Sequence, residues 1–153
     1  VIDLALKALG GSVLNRRIGV LGAAFKPHTD DVRDSPALNV AAALHLRGAQ
    51  VVVYDPQART TAQRLFPTLG YADSMEEALT GADLTVVLTE WDEFTTADPA
   101  ELRAIVSGRN VIDGRNCLDA SAWSRAGWSV YAMGTVPEVA PLADDLAALT
   151  PVR

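Results

Sequence analysis

Two basic residues, Lys26 and Arg33, stand in the polar segment 26–34, directly behind a short apolar run. An ammonium group neutralises a phosphate as a point charge, and a guanidinium binds one through two parallel hydrogen bonds. The same segment contains aspartates at positions 30, 31 and 34, with which both cations can instead form ion pairs in a solvated loop. The residue types therefore allow an anion site here, and the sequence leaves both interpretations open.

A third basic residue, Arg115, follows another apolar run. Gly114 allows a tight turn directly after a strand, and an arginine placed there is a good anion ligand. The alternative is an ion pair with Asp113 or Asp119. Cys117 has no evident His or Lys partner to lower the pKa of its thiol, so we interpret it as a small buried apolar residue rather than a nucleophile.

Other chemical motifs are weak. Gly19 and Gly22 have the spacing G-x-x-G, whereas a dinucleotide fingerprint requires G-x-G-x-x-G, and Pro27 with a polar segment separates them from the next helix. We interpret these glycines as a turn that closes a core strand. The chain contains two histidines and one cysteine, which are too few and too scattered to predict a metal site.

The segment 89–94 carries three carboxylates, which can do acid–base work. Its pattern is more typical of a helix start, with Thr89 as the cap and acidic residues in the first turn. Trp91 and Phe94 are then expected to pack inward.

The elements that position these residues alternate along the chain. Five apolar runs predict strands, at 17–21, 50–54, 83–88, 110–112 and 128–131. Helical segments separate them, which predicts parallel pairing through right-handed crossovers, and strands apolar on both sides are expected to be covered on both faces. We predict an α/β fold, a doubly wound Rossmann-like three-layer sandwich with a mainly parallel sheet of about five strands. Ligands bind such sheets beyond the carboxyl ends of the strands, where Lys26, Arg33 and Arg115 fall.

Composition narrows the class of protein. With 153 residues, the chain has the length of one domain. A net charge of −6 argues against binding to nucleic acid or an anionic membrane surface, and no run approaches the ~20 apolar residues that span a bilayer. A single cysteine excludes an intrachain disulfide and fits a reducing cytoplasm.

Four sequence segments, taken together, are more specific than any single motif above. Residues 20–37 read VLGAAFKPHTDDVRDSPA, followed by VYDP at 53–56, LTEWDEF at 88–94 and IDGRN at 112–116. In order and separation they resemble the C-terminal domain of the UDP-glucose/GDP-mannose dehydrogenase family, over roughly residues 1–132. The resemblance divides the chain into the end of a central dimerisation helix and linker (1–14), a nucleotide-sugar-binding α/β domain (15–132) and a C-terminal tail (133–153).

The resemblance implies a function. Enzymes of this family oxidise the C6 alcohol of a nucleotide sugar to an acid in two NAD-dependent steps, and they are homodimeric. By the motif match, Phe25, Lys26 and Arg115 would contact the nucleotide sugar, and Arg33 would reach an NAD molecule bound mainly by another domain. UDP-glucose, oxidised to UDP-glucuronate, is the substrate we expect first, since this activity is common in the family. UDP-N-acetylmannosamine and GDP-mannose are the alternatives.

The resemblance also implies what these 153 residues do not contain. The family's nucleophilic cysteine, its acid–base lysine and asparagine and its NAD fingerprint belong to segments that have no counterpart in this sequence. We therefore expect no catalytic residue here, and no activity from this chain alone. The competing hypotheses are a free-standing nucleotide-binding module and a domain whose loops bind protein.

Overall fold

Six short strands form one sheet in the computed structural model, which describes residues 1–134. The strands are Arg17–Leu21 (β1), Gln50–Tyr54 (β2), Gly70–Tyr71 (β3), Leu84–Val87 (β4), Asn110–Asp113 (β5) and Ser129–Ala132 (β6). They lie in the order β3-β2-β1-β4-β5-β6, and every adjacent pair is parallel. The predicted α/β class is confirmed. The sheet has one strand more than expected, because the two residues of β3 are too few to show any periodicity.

Residues 1–134 contain seven helices, of which the first precedes the sheet and the other six lie between strands. They are Ile2–Ala8 (α1), Pro36–Leu46 (α2), Arg59–Leu65 (α3), Met75–Leu79 (α4), Asp92–Thr95 (α5), Pro99–Ile105 (α6) and Ala120–Arg125 (α7). Local signals start several of them: Ser35 accepts a hydrogen bond from the Leu38 N–H and precedes Pro36 at the first helical position. None of the helices within residues 1–134 has both the length and the apolar character needed to cross a membrane.

The sheet is covered on both faces, as the apolar strands predict. One core contains strand residues such as Val20, Val86 and Ile112 beneath α1, α2 and α3. The other contains Leu21 and Val87 beneath α4 to α7. This is the three-layer arrangement expected from the sequence. The C-terminal helix that the sequence suggests near 142–149 lies outside the described residues.

Register brings three connecting loops to one edge of the sheet. Leu21 at the end of β1 pairs with Tyr54 and Val87, and Val87 pairs with Asp113. The loops that follow these strands are therefore neighbours, although they are far apart in sequence. We name them the Phe25 loop (22–35), the Glu90 loop (88–91) and the Arg115 turn (114–119). The order of strands reverses between β1 and β4, which is where ligands bind in open α/β sheets.

Candidate functional site

The start of the Phe25 loop is anchored on a buried carboxylate. Asp55, at the end of β2, is only 4% exposed. Its Oδ2 accepts hydrogen bonds from the N–H groups of Ala23 at 2.8 Å and Ala24 at 3.0 Å and from Trp91 Nε1 at 3.2 Å. Its Oδ1 accepts from the N–H groups of Gln57 at 2.9 Å and Ala58 at 2.8 Å. Five donors on one carboxylate satisfy its burial and hold the loop, the second strand and the Glu90 loop together.

The carbonyl groups of residues 23–25 are held by three different elements. Ser35 Oγ donates to the carbonyl of residue 23 at 2.6 Å, and Thr89 Oγ1 donates to that of residue 24 at 2.8 Å. Arg115 Nη2 donates to the Phe25 carbonyl at 2.8 Å. The main chain before Lys26 is therefore fixed from several directions, while the Phe25 side chain stays 52% exposed.

Gly22 lets the first strand turn against the Glu90 loop. Its φ is +107°, and a Cβ placed there would lie 2.4 Å from Thr89 Oγ1. In a dinucleotide fingerprint, glycine makes room for the pyrophosphate of the ligand. Here the same room is filled by Thr89, which supports the interpretation of these glycines as a turn that closes a strand.

Arg115 forms an ion pair that the sequence did not predict. Its Nε lies 2.9 Å from Glu90 Oε2, so neither Asp113 nor Asp119 is its side-chain partner. Asp113 is 2% exposed and is used instead to hold its own turn. Its carboxylate accepts from the N–H groups of Arg115 at 3.2 Å, Cys117 at 3.1 Å and Leu118 at 2.9 Å.

The two cations of the Phe25 loop differ in their surroundings. Arg33 donates from Nε and Nη2 to the two carboxylate oxygens of Asp31, at 3.0 and 2.9 Å, with a side chain that is 86% exposed. The hydrogen bonds from Arg33 lower the pKa of Asp31 to about 2. Lys26 is exposed and has no ion pair or hydrogen bond to any described residue. The ion-pair interpretation thus describes Arg33, and Lys26 keeps its charge available.

Arg33 also borders an open cavity of about 520 Å³ between the Phe25 loop and α3. Thr61, Arg64 and Leu65 line its other side. Thr61 Oγ1 donates to the Asp30 carbonyl at 2.7 Å and so ties the loop to the helix. This cavity therefore brings Arg33 and Arg64 to a common surface.

The surroundings of Cys117 disfavour its thiolate form. Its side chain is half-buried, and its Sγ lies 3.6 Å from Asp113 Oδ1. Burial, followed by the Asp113 charge, raises the pKa of the thiol to about 12. At neutral pH the thiolate is therefore scarce, as the sequence interpretation expected.

The segment 89–94 leads into a short helix as expected, with one difference. Trp91 and Phe94 are buried at 6% and 1% exposure, as predicted. The helix cap is Trp91 rather than Thr89, which is fully buried and bonds the Phe25 loop. Sequence reasoning also missed Asp55 and Glu90. An aspartate before a proline is typical of a turn, and nothing local to Glu90 points to Arg115.

Comparisons with known proteins identify the family of the chain. Residues 19–120 match the model of the UDP-glucose/GDP-mannose dehydrogenase family, UDP binding domain. A UDP-glucose 6-dehydrogenase from Haloferax volcanii is 44% identical over 108 residues, which are 68% of this chain and 25% of that protein. One from Rhizobium meliloti is 37% identical over 84% of this chain and 30% of its own length.

Solved structures show the same likeness. A UDP-glucose dehydrogenase from Pyrobaculum islandicum has a TM-score of 0.71 and 31% identity, over 87% of this chain and 28% of that one. A UDP-D-ManNAc dehydrogenase from Pyrococcus horikoshii has a TM-score of 0.72 and 29% identity, over 87% of this chain and 29% of its own length. The chain thus spans less than a third of each of these relatives. It belongs to the UDP-glucose/GDP-mannose dehydrogenase family, as that family's UDP binding domain.

Proposed function

We propose that this chain is the nucleotide-sugar-binding part of an NAD-dependent dehydrogenase that oxidises UDP-glucose to UDP-glucuronate. The observation that carries the proposal is the 2.8 Å hydrogen bond from Arg115 Nη2 to the Phe25 carbonyl. It joins two family segments at the carboxyl edge of the sheet, where α/β folds bind ligands. The UDP-glucose 6-dehydrogenases among the relatives favour UDP-glucose as the substrate.

Each of the three site residues has a distinct role in this proposal. Lys26 supplies an unpaired ammonium to the diphosphate, and Arg115 supplies the guanidinium N–H groups that its protein partners leave free. The exposed Phe25 ring covers an apolar part of the ligand. All three bind and orient the nucleotide sugar, and none performs a chemical step.

Among residues 1–134, the turn at Gly22 lacks the features of a primary NAD site. The N–H groups of Ala23 and Ala24 are directed at Asp55, and Thr89 fills the space beside Gly22. We infer that NAD binds mainly to another domain of a cytoplasmic, homodimeric parent enzyme. Arg33, which projects beside the 520 Å³ cavity, is then the contact from this domain. Since burial and the Asp113 charge disfavour the Cys117 thiolate, we expect no turnover from this chain alone.

The test is a calorimetric titration of the chain with UDP-glucose, with GDP-mannose as the comparison. Charge-assisted hydrogen bonds contribute about 1.5–3 kcal/mol, so Lys26→Ala or Arg115→Ala should weaken binding by about 10- to 100-fold. Lys7→Ala removes an exposed lysine from the last turn of α1. The neighbouring Ala8 carbonyl accepts from Asn110, at the opposite end of β5 from the Arg115 turn. Arg33→Ala removes the proposed NAD contact. Both variants should leave the affinity for UDP-glucose unchanged. Equal losses in all four variants, or no binding by the unaltered chain, would contradict the proposal.

The substrate has one specific competitor. The likeness to the Pyrococcus horikoshii UDP-D-ManNAc dehydrogenase makes UDP-N-acetylmannosamine the second candidate. Lys26 and Arg115 would hold the diphosphate of either sugar nucleotide in the same way. Competition between the two in the same titration ranks them, and tighter binding of UDP-N-acetylmannosamine would replace UDP-glucose as the proposed substrate.

A further inference from the structure

Arg115 joins three loops that come from three different strands. It lies in the Arg115 turn after β5, its Nε pairs with Glu90 in the loop after β4, and its Nη2 bonds Phe25 in the loop after β1. The Nε–Oε2 and Nη2–O distances are 2.9 and 2.8 Å. A guanidinium is planar, so a hydrogen bond from Nη2 together with an ion pair at Nε constrains both its position and its rotation.

The donors that remain are suited to a ligand. A guanidinium carries five N–H bonds. Phe25 accepts from one N–H of Nη2, and Glu90 forms an ion pair on the Nε side. Both N–H bonds on Nη1 and one on Nη2 therefore have no partner among residues 1–134. The Arg115 side chain is 33% exposed, which leaves this group accessible from solvent. Lys26, with its free ammonium, follows Phe25 directly.

Stability alone is a poor reason for the Glu90 contact. The Glu90 side chain is 40% exposed, and ion pairs in such surroundings typically contribute about 0–1 kcal/mol. A carboxylate beside an anion site also repels the anion. Its benefit must therefore lie in how it holds the guanidinium.

We infer that Glu90 is a positioning residue for nucleotide-sugar binding, which acts through Arg115. By fixing Nε, it presents the free Nη1 and Nη2 donors to a nucleoside diphosphate and keeps the Phe25 carbonyl bond in place. This inference rests on the function proposed above. Without Glu90, the guanidinium can rotate away, so the ligand must order it on binding at a cost in affinity.

A double-mutant cycle measured by UDP-glucose titration tests the inference. We expect Glu90→Ala to weaken binding by about tenfold, a typical size for one lost positioning contact. Glu90→Gln keeps an oxygen of the same reach beside Nε and removes the negative charge that repels the ligand, so it should restore the affinity to within about threefold of the unaltered chain. Combining Glu90→Ala with Arg115→Ala should weaken binding no further than Arg115→Ala alone, because Glu90 acts only through Arg115.

Glu93→Ala is the matched control. Glu93 is an exposed acid close to Glu90 in sequence, but its carboxylate accepts from the Tyr54 hydroxyl at 2.8 Å rather than from Arg115. It should bind UDP-glucose like the unaltered chain, and thermal melting confirms that each variant is folded. A role of Glu90 in stability alone would lower the melting temperature without this pattern of rescue and non-additivity.

The outcomes separate this inference from the proposed function. If Arg115→Ala weakens binding but Glu90→Ala does not, the inference is wrong and the proposed function stands. Additive losses in the double variant, or a Glu90→Gln affinity as low as that of Glu90→Ala, would also overturn it. Failure of the unaltered chain to bind UDP-glucose would instead refute the proposed function, and this inference with it.

Discussion

Replacing Asp55 by asparagine should destabilise the domain strongly, although the two side chains have nearly the same size. The buried carboxylate accepts five hydrogen bonds, three on Oδ2 and two on Oδ1. An amide has only one acceptor oxygen, and its NH2 group is itself a donor. Whichever way the amide turns, at least two N–H groups face another donor.

The size of the effect follows from which groups lose their partner. The less costly orientation keeps the amide oxygen toward Ala23, Ala24 and Trp91 and leaves Gln57 and Ala58 unpaired. Gln57 is exposed and can bond water, whereas Ala58 is fully buried. One buried N–H group without a hydrogen-bond partner costs about 1–3 kcal/mol, and the three remaining hydrogen bonds lose their charge assistance. We therefore expect the free energy of unfolding to fall by about 3 kcal/mol. That is a large part of the 5–15 kcal/mol that holds a typical domain together.

Urea unfolding followed by circular dichroism measures this loss as a fall in the midpoint at constant slope. Asp98→Asn is the matched control. Asp98 caps α6 through one exposed hydrogen bond to the Ala100 N–H, and asparagine caps equally well, so its loss should stay below about 0.5 kcal/mol. A stability of Asp55→Asn within about 1 kcal/mol of the unaltered chain would refute the reasoning that these five contacts hold the Phe25 loop.

Two further predictions test the loop and the thiol. Gly22→Ala should lower the free energy of unfolding by at least about 2 kcal/mol more than Gly11→Ala does. Both glycines have φ +107°, but only at Gly22 does an added Cβ meet Thr89. Equal urea midpoints for the two variants would show instead that Thr89 moves aside. Cys117, the only cysteine, should react with a thiol reagent at pH 8 at least about tenfold more slowly when folded than in urea, because folding raises its pKa to about 12. Equal reactivity in the folded and unfolded states would contradict the raised pKa of the thiol. The unfolded chain releases this proton nearer pH 8.5, so the free energy of unfolding should fall as the pH rises from about 9 toward 12.

Much of the fold was predictable because its signals are local. A run of apolar residues between turn residues predicts a buried strand wherever it stands, and Ser35 with Pro36 predicts the start of α2 from adjacent positions. Five of the six strands within residues 1–134 were predicted in this way. The strand Gly70–Tyr71 was not, because its two residues form a strand only by pairing with β2.

The basic residues of the candidate site could be predicted from the sequence, whereas the ion-pair partner of Arg115 could not. Lys26, Arg33 and Arg115 stand behind strands, and the carboxyl ends of parallel strands share one edge, so their general location follows from the sequence. Arg33 forms an ion pair with Asp31, which is only two residues away, so a local sequence pattern can indicate this contact. Arg115 forms its ion pair with Glu90, which belongs to a different loop, so no local pattern indicates this contact.

What the sequence by itself determined is the α/β class, the cap of α2 and the family segments, all of which depend on neighbours along the chain. Only the tertiary structure decided that Glu90 holds Arg115, that Arg115 holds Phe25, and that Asp55 collects donors from three segments. The physical reason is the strand order β3-β2-β1-β4-β5-β6. It places the loops after β1, β4 and β5 side by side, so polar groups distant in sequence satisfy one another there.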